Sequence, residues 1–392
     1  MNVYIKEFNS CVMRKQKILQ YSNFLKANNH TIQKNPENSD YIIIWTCGFR
    51  KDFLDASITL INSFCKKYTE TTIIVAGCIP DIAPDQMPEY NNLILVPWKN
   101  DFFVLNRIFR EQPGIPFEDP IFVENQICLD AQKFRRENPD KDVTFHDQFI
   151  KLVISEGCYF KCSYCSERLA FPPYKSFPPD FLYASLKKIV EDTGIYDVML
   201  MADSLGQYGK DVETNFPNLV HMLKSIHPDI KFAFNNLNPS NFIDFFDDMV
   251  LFIRNGWIKH LNIPIQSGSD KILSLMQRNY TKKDIEKIFQ HLRQLKFDLF
   301  DTHVIIGFPG ETETDFEKTV NIIKKWRPKY ILASKYMEAR NAPSANLPNK
   351  IEEQITIERL NKIEKLCQQL GIICNIDGSE LSQKRLQRMM NK

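Results

Sequence analysis

Short apolar runs alternate with amphipathic stretches along most of the chain. Tyr41–Trp45 and Thr72–Ala76 are apolar at almost every position, as strands covered on both faces are, and Val3–Phe8 reads as a third short strand. Between them, Arg14–Ala27 places Ile18, Leu19, Tyr21 and Leu25 at spacings that share one side of a helix, and Lys51–Lys67 predicts a second helix. Tyr90–Arg110 adds a strand at Leu93–Val96 and a helix from Asp101. The separations suit strand–helix–strand crossovers, whose right hand makes the strands parallel. Residues 1–112 are therefore expected to form an open parallel α/β sheet domain. The stretch 113–146 is Pro-rich and then highly charged, and reads as a linker that Phe117, Ile121, Phe122 and Phe134 pin to a surface.

From 147 to 346 strands and helices alternate again. Strands are expected at Lys151–Ile154, Tyr196–Met201, Ile230–Phe234, His260–Ile263, Leu299–Ile306 and Tyr330–Ser334. Helices are expected at Phe181–Asp192, Asn215–Ile226 and Phe242–Asn255, and from Lys282 and Glu313. This is the rhythm of a partial parallel barrel, whose functional groups gather at the carboxyl ends of its strands. The last segment, 347–392, reads as a helix carrying Leu360, Ile363, Leu366 and Leu370, a stop at Gly371, a short Ile-Ile-Cys-Asn-Ile strand and a basic helix.

Composition narrows the class. The chain has 392 residues, too many for one ordinary core. A hydrophobic fraction of 43% and a charged fraction of 25% are those of a globular protein. A formal charge of +2 supplies no global attraction for nucleic acid. The start lacks an apolar signal core and no run approaches membrane-spanning length. Ten cysteines without such a signal point to a reducing compartment, so a cytoplasmic protein is expected, with thiols serving metals or catalysis.

The cysteines carry the candidate chemistry. Cys158, Cys162 and Cys165 fall in one short loop, S-E-G-C-Y-F-K-C-S-Y-C-S-E-R, as the chain leaves a predicted strand. Three thiolates so close can hold one soft metal centre, and on a four-iron cubane they leave one iron with an open position. The C-x2-C pair is equally half of a zinc site, which needs a further ligand nearby. The next histidine downstream is His221 and the next cysteine Cys367, both distant in sequence. A second trio is dispersed: Cys11, Cys47 and Cys78 each follow one of the first three strands. Parallel strands would bring them to a common carboxyl edge, where open α/β sheets bind ligands. Cys65, inside a predicted helix, reads as a packing residue. Cys128, Cys367 and Cys374 have no such placement.

The spacing of Cys158, Cys162 and Cys165, with aromatic Tyr164 before the last, resembles the signature of radical S-adenosylmethionine (SAM) enzymes. Together with Asn-Ser-Cys11-Val-Met, Trp-Thr-Cys47-Gly-Phe-Arg and Val-Ala-Gly-Cys78-Ile-Pro, it resembles the methylthiotransferases that modify tRNA adenosines or a ribosomal-protein aspartate. Further stretches agree: Asp203–Asp211, Asn262–Arg278 and Thr302–Thr319 around G-F-P-G-E-T. The resemblance covers about residues 1 to 345. It implies a radical SAM partial (β/α)6 TIM-type barrel after the amino-terminal domain, two [4Fe-4S] clusters and two molecules of SAM. One cluster would sit on Cys158, Cys162 and Cys165, the other on Cys11, Cys47 and Cys78. It implies SAM contacts from Tyr164, Asp203, Ser204, Asn235, Gln266, Ser267 and Arg278, although turn formation and capping compete for Asn and Ser at such positions. It also implies a flavodoxin- or ferredoxin-like electron donor.

The implied reaction replaces an unactivated C–H by C–SCH3, with a cluster that only relays electrons as the alternative. A non-enzymatic iron–sulfur or zinc protein is the reading outside this class. Arg168–Ser176 lacks the family's usual Gly and paired Arg, Tyr336–Ala345 keeps Arg340 but loses its Ser, Gly and Thr, and Ile79-Pro80-Asp81 departs from the third cysteine motif. The segment after Ala345 has no run of strands from which to build the family's TRAM barrel. These departures favour a peptide or protein side chain as substrate, with tRNA as the alternative.

Overall fold

A computed structural model describes residues 1–8, 12–48, 51–110, 149–339 and 342–376. The expected linker, Cys11, Cys128, Arg340 and the basic tail lie outside the described residues.

The amino-terminal domain is a parallel five-stranded sheet. Its order is β2 (Thr31–Gln33), β1 (Asn2–Glu7), β3 (Tyr41–Thr46), β4 (Thr72–Gly77) and β5 (Leu93–Leu95). Successive side chains of a strand point to opposite faces, so both faces of β3 and β4 are apolar. Ile43, Trp45, Ile74 and Ala76 pack with Tyr21, Phe24, Leu105 and Phe109 of the helices Val12–Ala27 and Asp101–Phe109. Ile42, Ile44, Ile73 and Val75 pack on the other face with Leu60, Ile61 and Cys65 of the helix Lys51–Lys67. Cys65 is thus a packing residue in the core.

The second domain is an eight-stranded sheet. Six of its strands form the expected parallel series: β6 (Ile150–Glu156), β8 (Asp197–Ala202), β9 (Lys231–Phe234), β10 (Ile258–Asn262), β11 (Phe300–Ile306) and β12 (Tyr330–Lys335). Two more strands flank them. The two-residue β7 (Lys175–Ser176) pairs antiparallel with β6, and β13 (Ile373–Ile376) pairs parallel with β12. Helices cover the outer surface over one large apolar core. The helices Lys282–Gln294 and Glu313–Trp326 begin at capping boxes on Thr281 and Thr312. The single helix expected over Phe242–Asn255 is instead two, Pro239–Asp244 and Phe246–Arg254. The break is at Phe245, whose backbone (φ −113°, ψ 34°) leaves the helical region while the apolar periodicity runs on through it.

A buried ion pair joins the carboxyl-terminal helix Glu353–Leu370 to the loop after β11. Arg359 Nη1 donates to Glu311 Oε2 at 3.0 Å, and the Gly307 N–H donates to the same oxygen at 2.9 Å. Gly307 has φ +79°, and a Cβ there would stand 2.3 Å from Thr356 Oγ1, so only glycine fits. The other oxygen, Glu311 Oε1, is buried with no hydrogen-bond partner. Burial accordingly pushes this carboxyl up to about 7, against the pull of the Gly307 N–H and Arg359. The folded protein then holds this proton more tightly than the unfolded chain. The group's stabilisation is complete below the ordinary carboxyl range and is lost as pH rises through about 7. Denaturant unfolding of Glu311→Gln should show that fall in stability between about pH 4.5 and 7 removed.

Candidate active site

The loop after β6 is held by hydrogen bonds to its backbone. β6 and β8 are neighbours in register, Ser155 opposite Ala202, so the residues following each strand emerge side by side. Asp203 Oδ2 accepts from the Gly157 N–H at 2.8 Å, and Gln207 Oε1 accepts from the Tyr159 N–H at 2.9 Å. Gly157 has φ +81°, and a Cβ there would meet the Tyr174 Cα at 2.8 Å. On the far side of the loop, Ser163 donates its N–H to the Met276 carbonyl at 3.0 Å and its hydroxyl to the Leu275 carbonyl at 2.7 Å. The Ser163 carbonyl in turn accepts from the Ser344 N–H at 2.9 Å. Loop backbone removed from water needs such partners. Here they come from three other segments of the barrel.

Within this clamp Cys162 is buried, and Cys158 and Cys165 are partly exposed. Burial pushes the Cys158 thiol up to about 11, and the neighbouring Cys162 and Asp203 push the same way. Cys165 is raised further, by burial first and then by Glu167, Cys162 and Cys158. Neighbouring negative charge thus adds to burial in raising Cys158 and Cys165, an effect that a polycationic metal core would relieve. Among the described residues no three His, Cys, Asp or Glu side chains converge on one metal-ion position. Three thiols in one loop are the donors that a soft iron–sulfur centre takes.

Arg278 closes one side of the loop. Its Nη1 lies 3.2 Å from Cys162 Sγ and 3.3 Å from Tyr164 Oη, Nε donates to Tyr280 Oη at 2.9 Å, and Nη2 reaches the Pro264 carbonyl at 3.4 Å.

The other expected ligand-binding residues fall into two groups. Ser204 Oγ is buried and has no hydrogen-bond partner, and Asn235 is half-buried just beyond β9. These two leave polar groups for a ligand at the strand ends. Gln266 is half-buried with φ +62°; its N–H donates to the His303 carbonyl at 2.8 Å and its carbonyl accepts from Ile305 at 2.9 Å, so its backbone continues the ladder beside β11. Ser267 is engaged elsewhere: it is fully buried, with its hydroxyl 3.4 Å from Thr319 Oγ1 and accepting from the Ser269 N–H. Asp203, expected at a ligand, grips the loop backbone. Gln207, Ser163 and Ser344 were not singled out from the sequence; the adjacency of β6 and β8 is the feature that points to Gln207.

Two of the dispersed cysteines, Cys47 and Cys78, lie at neighbouring strand ends. Thr46 at the end of β3 is in register with Gly77 at the end of β4, so Cys47 and Cys78 leave adjacent strands at the same level, and both are buried. Cys78, Ile79, Ile82 and Trp98 pack with Leu54 and with Ala170, which follows the Cys165 turn; the Trp98 and Phe171 rings meet edge-on at 6.5 Å. The carboxyl edge of the first sheet thus abuts the cysteine loop of the second domain.

Comparison with known proteins agrees with this arrangement. Residues 152–323 match the radical SAM superfamily, and residues 2–96 match uncharacterized protein family UPF0004. The chain is 28% identical over 345 residues to a probable threonylcarbamoyladenosine tRNA methylthiotransferase of Pyrococcus horikoshii, covering 86% of this chain and 77% of that one. It is 26% identical over 384 residues to a ribosomal protein uS12 methylthiotransferase of Thermosipho melanesiensis, covering 95% and 84%. Among solved structures, a radical SAM methyltransferase of Kitasatospora setae shares the fold, with a TM-score of 0.57 at 12% identity over 85% of this chain and 72% of that one. No helix among the described residues is long and apolar enough to cross a membrane.

The clamp has a measurable cost when opened. Gln207→Ala leaves the Tyr159 N–H without its acceptor, and denaturant unfolding should show a loss of about 1–3 kcal/mol. Hydrogen exchange at the Tyr159 amide should accelerate while amides of β10 keep their protection.

Proposed function

The chain belongs to the radical SAM methylthiotransferases, joining a radical SAM domain to a UPF0004 domain, and we propose that it replaces a C–H bond of a tRNA nucleobase by C–SCH3. The observation that carries this reading is the packing of the Cys78 turn on Ala170 and Phe171. It brings the edge that bears Cys47 and Cys78 beside Cys158, Cys162 and Cys165, as transfer of sulfur to a carbon activated at the second centre requires. Enzymes of this kind use SAM and [4Fe-4S] clusters, which when bound supply the hydrogen-abstracting radical and the methylated sulfur. In this reading Cys158, Cys162 and Cys165 hold one cluster, and Cys47 and Cys78, with Cys11, hold a second. Asp203, Gln207 and Ser163 fix the first loop, while Ser204, Asn235 and the strained Gln266 offer polar groups to SAM.

A nucleobase is favoured by the rim. Tyr159, next to Cys158, is 47% exposed, and its ring lies on that of Tyr174 at 4.3 Å. Lys210 Nζ stands 5.7 Å from the Tyr159 ring, and Lys161 and Lys175 are exposed sequence neighbours of the two tyrosines. Exposed aromatic faces flanked by lysines suit a base and its phosphates. The relatives' names also include tRNA enzymes. A protein side chain is the second reading, favoured by the departures at Arg168–Ser176 and Tyr336–Ala345 and by the uS12 relative.

Anaerobic reconstitution should yield about eight irons per chain, the content of two cubanes. Cys47→Ala should keep reductive cleavage of SAM and lose the methylthiolated product; equal loss of both would argue against separate roles for the two cysteine groups. Mass spectrometry of nucleosides from tRNA incubated with the enzyme should show CH3S in place of hydrogen. A product on peptide alone would transfer the assignment to the second reading, and a product without sulfur would leave the amino-terminal cluster an electron relay.

A further inference from the structure

We propose that Arg278 sets the reduction potential of the centre held by Cys158, Cys162 and Cys165, by placing a fixed positive charge against the Cys162 sulfur. The inference rests on the cluster assignment above and adds an electrostatic role for a residue outside the ligand set.

The geometry favours tuning over general packing. Arg278 Nη1 is 3.2 Å from Cys162 Sγ, within hydrogen-bond reach of a sulfur acceptor. The guanidinium is locked from other directions: Nε donates to Tyr280 Oη at 2.9 Å, Nη2 points to the Pro264 carbonyl at 3.4 Å, and the Tyr280 ring lies 5.0 Å from the guanidinium carbon. Tyr280 is itself held, donating to the Ile265 carbonyl at 2.9 Å. None of these partners is a carboxylate. The charge is therefore not cancelled where it meets the sulfur, and the nearby acids, Asp203 and Glu167, act on Cys158 and Cys165 instead.

Reduction adds an electron to a centre already made negative by its thiolates. A hydrogen bond and a positive charge at one of those sulfurs stabilise the reduced form more than the oxidised one, which raises the potential. Such an effect needs the cation close to the sulfur and partly shielded from water; Arg278 Nη1 stands 3.2 Å from Cys162 Sγ and the residue is half-buried. An electron donor of ordinary strength can then reduce a cluster that would otherwise resist it. Arg278 is on this account a positioning and potential-setting residue that need not touch the substrate.

The test is an EPR-monitored redox titration of the full, reconstituted enzyme, following the cluster signal that changes when SAM is added. Arg278→Gln should retain the iron of the wild type and be at least tenfold harder to reduce at a given potential, a downward shift of about 59 mV or more for one electron. Arg278→Lys should recover part of that shift, because the charge returns without the fork that fixes it. Tyr280→Phe, which releases Nε, should shift the potential the same way by less. An unchanged potential in Arg278→Gln, or equal shifts in Arg278→Gln and Arg278→Lys, overturns the proposal, because charge would then not be the cause. If Arg278→Gln loses its iron, Arg278→Lys and Tyr280→Phe decide: wild-type potentials in both overturn it. A Cys162→Ala variant that kept the SAM-sensitive signal would instead overturn the cluster assignment.

Discussion

The site depends on satisfying the backbone of one loop. A chain leaving the end of a buried parallel strand carries N–H groups that water no longer reaches, and each left unpaired costs about as much as a lost hydrogen bond. After β6 these groups are met by Asp203 and Gln207 beyond the neighbouring β8, and by carbonyls at the end of the helix Asp270–Leu275. The three cysteines are presented by backbone that has no slack. Glycine at 157 is required by the same closeness, since a side chain there would collide with the Tyr174 backbone.

The electrostatics follow from that rigidity. Burial in a partly dry loop, with neighbouring negative charge, raises the proton affinity of Cys158 and Cys165. A guanidinium in a fixed cradle lies against the Cys162 sulfur. The amino-terminal sheet adds a second set of cysteines through apolar packing: Ile79, Ile82 and Trp98 seat its carboxyl edge on the turn that follows Cys165. Hydrophobic burial, which has no directional preference of its own, thus fixes the relation between the two cysteine-bearing edges.

Much of the architecture was legible in the sequence, for a physical reason. Strands covered on both faces must be apolar throughout, and Tyr41–Thr46 and Thr72–Gly77 announce themselves in that way. Strand ends in a parallel sheet share an edge, so Cys47 and Cys78 could be placed together without any contact in hand. The break at Phe245 was not legible, because the apolar period runs through it unbroken. β2 and β7, of three and two residues, are too short to show a period. The pairings within the site were hidden by distance in the chain: Gln207 lies 48 residues from Tyr159, and Arg278, expected at a ligand, lies 116 from the Cys162 it meets. Nor does a near-neutral total charge reveal Lys210 beside Tyr159, since a sum says nothing of distribution.

Among the described residues the second sheet begins at β7 and finishes at β13 without those two strands meeting. A closed cylinder selects whatever can pass its rim, so its guest must be small in every dimension. A cylinder with a seam is free of that limit, because its wall is interrupted along one side.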